Sequence, residues 1–248
     1  MLGLGNSLIS LDYTQQSAAA SAYSMSFDGS GDYLSFTETA FAIGEDGDKF
    51  SMSFWAKRDT TGTSADFVMS NVNGYYRKIH FNSTGDTLEI EGDENGQAAV
   101  GTVTADTEWH HYVITLNNDN GSGASLTAVV YEDGSAVSTS VTSLGATTAG
   151  LTVDSIGSPS GGGTNGFDGL LYQIAIYDEF LDAGAVSALY NSGTPIDITA
   201  DTGDYDNSGD LKHLWNFTEG TGSTAADSVG SLDATLNGDA AFSSTTPS

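Results

Sequence analysis

The chain has 248 residues, enough for one large β domain with a sizeable core. Six Lys plus Arg against 33 Asp plus Glu leave a formal net charge of −27, so phosphate backbones and anionic membrane surfaces repel it and nucleic acid is excluded as a partner. There is no cysteine, which removes disulfide staples and thiol chemistry and leaves apolar burial to hold the fold.

Residues 1–23 are polar and without a clear period. They read either as an amino-terminal arm that orders against another surface or as a flexible tail. "MLGLGNSLIS" lacks a basic n-region, and no apolar run approaches the ~20 residues of a membrane span, so neither a secretory signal nor membrane insertion is expected. From residue 24 onward, 31 Gly in the chain against 3 Pro, with turn clusters at short intervals, indicate many short strands joined by tight loops. In "KFSMSFWAK" Phe50, Met52, Phe54 and Ala56 alternate with Ser51 and Ser53, the period of a half-buried strand. "HHYVITL" puts Tyr112, Ile114 and Leu116 on one face, and "GLLYQIAIY" does the same for Leu170, Tyr172, Ile174 and Ile176. "LDAGAVSALYNSG" breaks this period. Asp182 as N-cap, Val186, Leu189 and Tyr190 at helical spacing, and Gly193 as a C′ glycine predict one short helix near 182–191 that plugs an end of the fold.

Three stretches carry candidate chemistry. "NGYYRKIHF" gathers Tyr75, Tyr76, Arg77 and His80 beside a turn, where aromatic faces stack on sugar rings and polar groups orient hydroxyls, so it is the first candidate for a carbohydrate contact. The alternative is that a tyrosine packs inside while Arg77 and Lys78 balance local acid. "DYDNSGDL" places Asp204, Asp206, Ser208 and Asp210 in the early positions of a calcium-loop pattern, but Trp215 stands where the closing Glu belongs, leaving an acidic linker as the other reading. His110 and His111 are adjacent, point to opposite faces of a strand and share no metal, and one of them is expected inside and hydrogen-bonded.

The order "MSFDGSGDYLSF", "FSMSFWAKR", "TEWHHYVITLNN", "LTAVVYEDGSAV", "FDGLLYQIAIYDEFLDAGAVSALYNSG" resembles the LamG-like, concanavalin A-like domains of laminin G-like family 3 over roughly residues 24–193. The resemblance implies an all-β jelly-roll sandwich of two antiparallel sheets, residues 24–248 forming one body. Domains of this family open with a "W-x-F-x-E-G-x-G" phrase, then "ADS-x-G" and "G-T-L-x-G". Here those phrases are Trp215, Phe217, Glu219, Gly220 and Gly222, then "ADSVG" at 226–230 and "ATLNG" at 234–238. The first family strand is therefore expected to have moved to the end, as in a circular permutation, with residues 211–242 completing the sheet. Residues 211–217 should lie next to the strand at 24–28 or to its sheet neighbour.

The same resemblance sets up the functional alternatives. Glu89, Glu91 and Glu94 in "LEIEGDE" fall near the "E-x-D-x-x-E" strand of jelly-roll glucanases, with Glu in place of the middle Asp, and the competing reading is a solvated hairpin edge. Such domains occur on tailed phages, which implies a non-enzymatic virion surface protein: a capsid decoration, fibre or tail adhesin. It would be made in the host cytoplasm, multimeric in the assembly, and in contact with other virion proteins and host-surface glycans. No cofactor is required under that reading, and calcium is the candidate ion. The alternative is a free carbohydrate-binding lectin or a glucanase-like glycoside hydrolase.

Overall fold

A computed structural model describes residues 21–43, 47–61, 66–71, 77–82, 86–93, 96–118, 127–141, 150–159 and 166–248 of the chain. The elements are β1 (Ser24–Asp28), β2 (Tyr33–Phe41), β3 (Lys49–Arg58), β4 (Asp66–Ser70), β5 (Lys78–Asn82), β6 (Thr87–Asp93), β7 (Gly96–Thr102), β8 (Trp109–Asn117) and β9 (Thr127–Glu132). They continue with β10 (Ser135–Ala136), β11 (Thr139–Val141), β12 (Leu151–Ile156), β13 (Asp168–Tyr177), the helix α1 (Ala183–Tyr190), β14 (Leu211–Trp215), β15 (Thr224–Ala225), β16 (Ala234–Asn237) and β17 (Ala241–Ser243). One sheet has the order β10-β9-β8-β3-β13-β1-β17 with β14 also on β13, and the other runs β11-β7-β6-β5-β4-β12-β2-β16-β15. The strand pairs are antiparallel throughout.

The alternation read from the sequence decides which side chains meet between the sheets. Phe50, Met52, Phe54, Tyr112, Ile114 and Leu116 from the first sheet join Ile79, Phe81, Leu88 and Ile90 from the second in one buried cluster. Full burial of each large apolar side chain contributes about 1.5–3 kcal/mol. Phe81 stands edge-on to Tyr112 at a centroid separation of 5.0 Å.

The back of the first sheet is also covered. Val113, Tyr131, Ala175 and Tyr177 point outward from it into a second cluster with Leu181, Val186, Leu189, Ile198 and Tyr205. The helix thus lies across a sheet face and does not plug an end of the sandwich. Asp182 caps it by accepting from the backbone N–H of Ala185 at 2.9 Å. It stops at Asn191, which takes the left-handed conformation (φ 44°) two residues before the expected Gly193. This cover explains why Ser51 and Ser53, apparently solvent-facing by period, are buried. Ser51 Oγ lies 2.8 Å from Thr115 Oγ1 and accepts from the backbone N–H of Leu181 at 3.1 Å, while Ser53 Oγ meets His111 Nε2 at 2.8 Å.

The carboxy-terminal segment reaches both sheets. β14 pairs with β13 from Ile174↔Trp215 to Tyr177↔Leu211, β17 pairs with β1, and β16 pairs with β2. Trp215 and Phe217 belong to the central cluster. Asp227 ties the following loop together by accepting from the backbone N–H groups of Leu214 (2.9 Å), Gly230 (2.9 Å) and Leu232 (3.0 Å) and from His213 Nδ1 (2.7 Å). Burial alone would raise its carboxyl, but the His213 bond and these backbone donors outweigh burial and hold it below the usual carboxylate range. At the amino-terminal side, the Tyr172 hydroxyl donates to the Ser21 carbonyl at 3.1 Å, so Ser21 already touches the sandwich.

Asp227→Ala removes an acceptor shared by five donors, the Val229 N–H at 3.3 Å being the fifth, and a Cβ on residue 230 would collide with Asp227 Oδ2 in Gly230→Ala. Each variant should lose about 2–4 kcal/mol, and each kcal/mol corresponds to roughly 2–4 °C in a chain of this size. Circular dichroism melts check this. Unchanged midpoints in both variants would show that the loop does not support the sandwich.

Candidate functional site

The outer face of the second sheet is polar. The register sets Thr235, Ser35, Ser155, Ser70, Lys78 and Glu91 side by side across β16, β2, β12, β4, β5 and β6. They share this face because Leu34, Ile156, Met69, Ile79 and Ile90, their chain neighbours, turn into the core. Asn237 Nδ2 donates to Ser35 Oγ at 2.9 Å, and Ser70 Oγ and Ser155 Oγ are 3.2 Å apart. Thr235 is exposed, Ser35 half-buried, and the two central serines buried.

Next to this row, β5 and β6 bring His80 opposite Glu89 and Lys78 opposite Glu91. Phe67 stacks on the His80 ring at a centroid separation of 5.7 Å and an interplanar angle of 23°. His80 Nε2 faces Glu89 Oε2 at 3.9 Å and Glu91 Oε1 at 3.7 Å, both too long for hydrogen bonds. Its buried Nδ1 has no partner. Leaving such a group unsatisfied costs roughly 1–3 kcal/mol. Burial, aided by the Lys78 charge, pushes the His80 pKa down to about 3, so the imidazole is neutral. Glu89 Oε1 accepts from Asn82 Nδ2 at 3.0 Å and Thr87 Oγ1 at 2.7 Å. Burial raises the pKa of Glu91 against the opposing effect of Lys78, whose Nζ stands 3.4 Å from Glu91 Oε1, and the Glu89 charge adds to the rise.

Sequence reasoning put these residues in two different sites. His80 was expected as an exposed sugar contact, yet only 2% of it is accessible because Phe67 and the neighbouring strands enclose it. Arg77 is half-buried. Tyr75, Tyr76 and Glu94 lie outside the described residues. Glu89 and Glu91 share a face, as glucanase carboxylates must, but only 3% of Glu89 is accessible.

The expected calcium ligands do not converge. Asp204 and Asp206 are exposed, and the His80, Glu89, Glu91 set is the one group of three or more His, Asp or Glu side chains with ligand atoms within 4.8 Å of one another among the described residues. The segment closes on itself instead: Ser208 N–H donates to Asp201 Oδ1 at 3.1 Å and Asn207 Nδ2 to Asp210 Oδ2 at 3.0 Å. Its buried Tyr205 donates to the Ile198 carbonyl at 2.7 Å, which fastens the loop over the first sheet.

A further cluster had no sequence signal beyond the histidine pair. His110 Nδ1 binds Asp133 Oδ2 at 2.7 Å and His110 Nε2 binds Asp106 Oδ1 at 3.0 Å. The Asp133 bond is the main cause of a His110 pKa raised to about 9, with Asp106 adding to it against burial. His111 lies on the opposite face, buried, with burial bringing its pKa down to about 3.

Residues 28–187 match the Concanavalin A-like lectin/glucanases superfamily, in its laminin G-like family 3. The chain belongs to this family. The match ends before β14, so the carboxy-terminal strands lie beyond the matched region. No curated protein sequence matches the chain. Among solved structures, a candidate carbohydrate-binding protein from Bacteroides ovatus aligns with a TM-score of 0.59 at 15% identity, covering 91% of this chain and 61% of that one. A heptameric SAP-like pentraxin from Limulus polyphemus aligns with a TM-score of 0.49 at 18% identity, covering 68% and 81%. At these identities the likeness is one of fold. The chain spans less than two thirds of the Bacteroides protein.

His110 titrates above its unfolded value of about 6.5, so its stabilising effect is full below that pH and is lost as pH rises through about 9. The stability difference between the wild type and His110→Ala, measured by urea unfolding, should therefore shrink between pH 6.5 and 10. A constant difference would contradict the ion cluster.

Proposed function

We propose that this chain is a non-enzymatic carbohydrate-binding surface protein of a tailed-phage particle, acting as a capsid decoration, fibre or tail adhesin. The observation that carries the glycan part is the row from Thr235 to Glu91. It is a band of hydroxyl and charged groups crossing six strands on the outer face of the second sheet, accessible at Thr235, Ser35, Lys78 and Glu91 and buried at its central serines. Sugars are held by such convergent polar groups acting with neighbouring side chains. The concanavalin A-like fold and its likeness to the Bacteroides protein support this reading. The burial of Glu89, with Oε1 engaged by Asn82 and Thr87, favours a structural over a catalytic carboxylate.

The virion setting is the finer part of the proposal. A cysteine-free sandwich needs no oxidising compartment and folds equally well in a host cytoplasm and on an external particle. Its net charge of −27 keeps it off the packaged nucleic acid. Residues 1–20 would dock on the particle, since Ser21 and the residues after it already belong to the sandwich.

A glycan array should show binding that weakens about 5- to 30-fold in Arg77→Ala and Asn237→Ala, the loss of roughly one hydrogen bond or charged contact each. Absence of binding to any glycan would remove this part of the reading. Reducing ends released from β-glucans, and lost in Glu89→Gln, would replace it with the hydrolase. The protein should co-purify with intact particles, and a chain lacking residues 1–20 should fold without being incorporated; normal incorporation would refute docking through the arm.

A further inference from the structure

We infer that His80, Glu89 and Glu91 form a binding site for one divalent first-row transition ion of the zinc class, clamping β5 to β6 on the outer face of the second sheet. This goes beyond glycan binding and does not rest on it. Three features meet in the cluster. His80 Nε2 points between two carboxylate oxygens at 3.7 and 3.9 Å without a proton shared between them. The ligand atoms of all three residues lie within 4.8 Å of one another. His80, only 2% accessible, has no hydrogen-bond partner at its buried Nδ1, so hydrogen bonding does not account for the ring's position.

An ion bound at ~2.0–2.2 Å to nitrogen and oxygen separates neighbouring tetrahedral ligands by ~3.3–3.5 Å, so a small rotation of each carboxylate closes the set. A metal takes the lone pair of an unprotonated imidazole nitrogen, and Nε2 is the His80 atom that faces the two carboxylates. The donors, one nitrogen and two carboxylates, suit zinc or its first-row neighbours. Calcium, which takes six to eight oxygens, is poorly served. Phe67 holds the ring in place by stacking. Lys78 opposes the ion, because its ammonium already stands 3.4 Å from Glu91 Oε1 and must withdraw when the metal enters. Asn82 and Thr87 hold Glu89 by Oε1, and its Oε2 stands 3.9 Å from His80 Nε2.

The test is calorimetric titration of the chelator-stripped full chain with zinc chloride, in excess calcium chloride so that the many surface carboxylates are occupied. One equivalent of zinc should bind, and cobalt(II) in its place should give the visible absorption of a nitrogen–oxygen site of low coordination number. His80→Asn should weaken zinc by more than about a hundredfold, beyond what loss of a ligand's hydrogen-bond partner costs. Lys78→Met should tighten it roughly tenfold or more, because a competing charge is removed. Equal zinc binding by the wild type and a folded His80→Asn overturns the site, and so does suppression of the equivalent by calcium. If His80→Asn does not fold, Lys78→Met decides alone: binding unchanged or weakened overturns the site.

Discussion

The structure depends on a single strand edge shared by two partners. Along one side β13 pairs with β3 over most of its length, from Gly169↔Arg58 to Tyr177↔Ser51. Along its other side the first half pairs with β1, through Asp168–Leu171, and the second half with β14, through Ile174–Tyr177. The exchange happens at a kink. The register with β3 shifts between Tyr172 and Ala175, and Gln173 takes a left-handed backbone (φ 48°), which costs a non-glycine residue roughly 1–2 kcal/mol. The buried Gln173 side chain offsets this by donating to the Ile196 carbonyl at 2.8 Å, in the segment that covers the first sheet. The kink therefore joins three things at once: the amino-terminal strand, the carboxy-terminal strand and the outer cover.

From this joint the asymmetry of the molecule follows. Leu211 and Leu214 of β14 point outward and enter the second cluster beneath α1, while Trp215 points inward to the first. A strand near the end of the chain thus links both apolar layers, and the first sheet is buried on both faces. The second sheet keeps a polar outer face, where hydroxyls and charged groups line up across strands. Charge follows the same division. Buried Arg58 is held by the Phe81 ring at 4.5 Å, by the Thr104 carbonyl at 2.8 Å and by Asp86 at 3.6 Å. In so acidic a chain, a buried cation of this kind is stable only because it is paired.

Much of the architecture was legible because period two is a local property. Phe50, Met52 and Phe54 announce the inner face of β3, and the Trp215 to Gly238 phrases announce a strand-forming region where residue order alone would suggest an ending. Other features depended on residues distant in sequence. Ser51 looked solvent-facing because the group that buries it, Leu181, lies 130 residues away. His80 looked like a surface residue because its neighbours Phe67 and Glu89 come from adjacent strands in a register that sequence does not disclose. The Asp204 to Asp210 pattern reads equally as an ion loop or as a closed acidic turn because carboxylates in a turn also accept from the loop's backbone N–H groups, as Asp201 Oδ1 does from Ser208.

The site and the fold are linked through the same register. Opposition of Lys78 to Glu91 and His80 to Glu89 is set by the β5–β6 pairing, which is held in turn by Ile79, Phe81, Leu88 and Ile90 in the central cluster. The central claim is that the carboxy-terminal strand is an integral part of this one cooperative body. Native-state hydrogen exchange tests it most directly. The account predicts that the amides of Leu214 and Trp215 exchange with the same free energy as those of Met52 and Ile114, through global unfolding. Exchange of Leu214 and Trp215 through an opening several kcal/mol less costly, with β3 and β8 still protected, would contradict it.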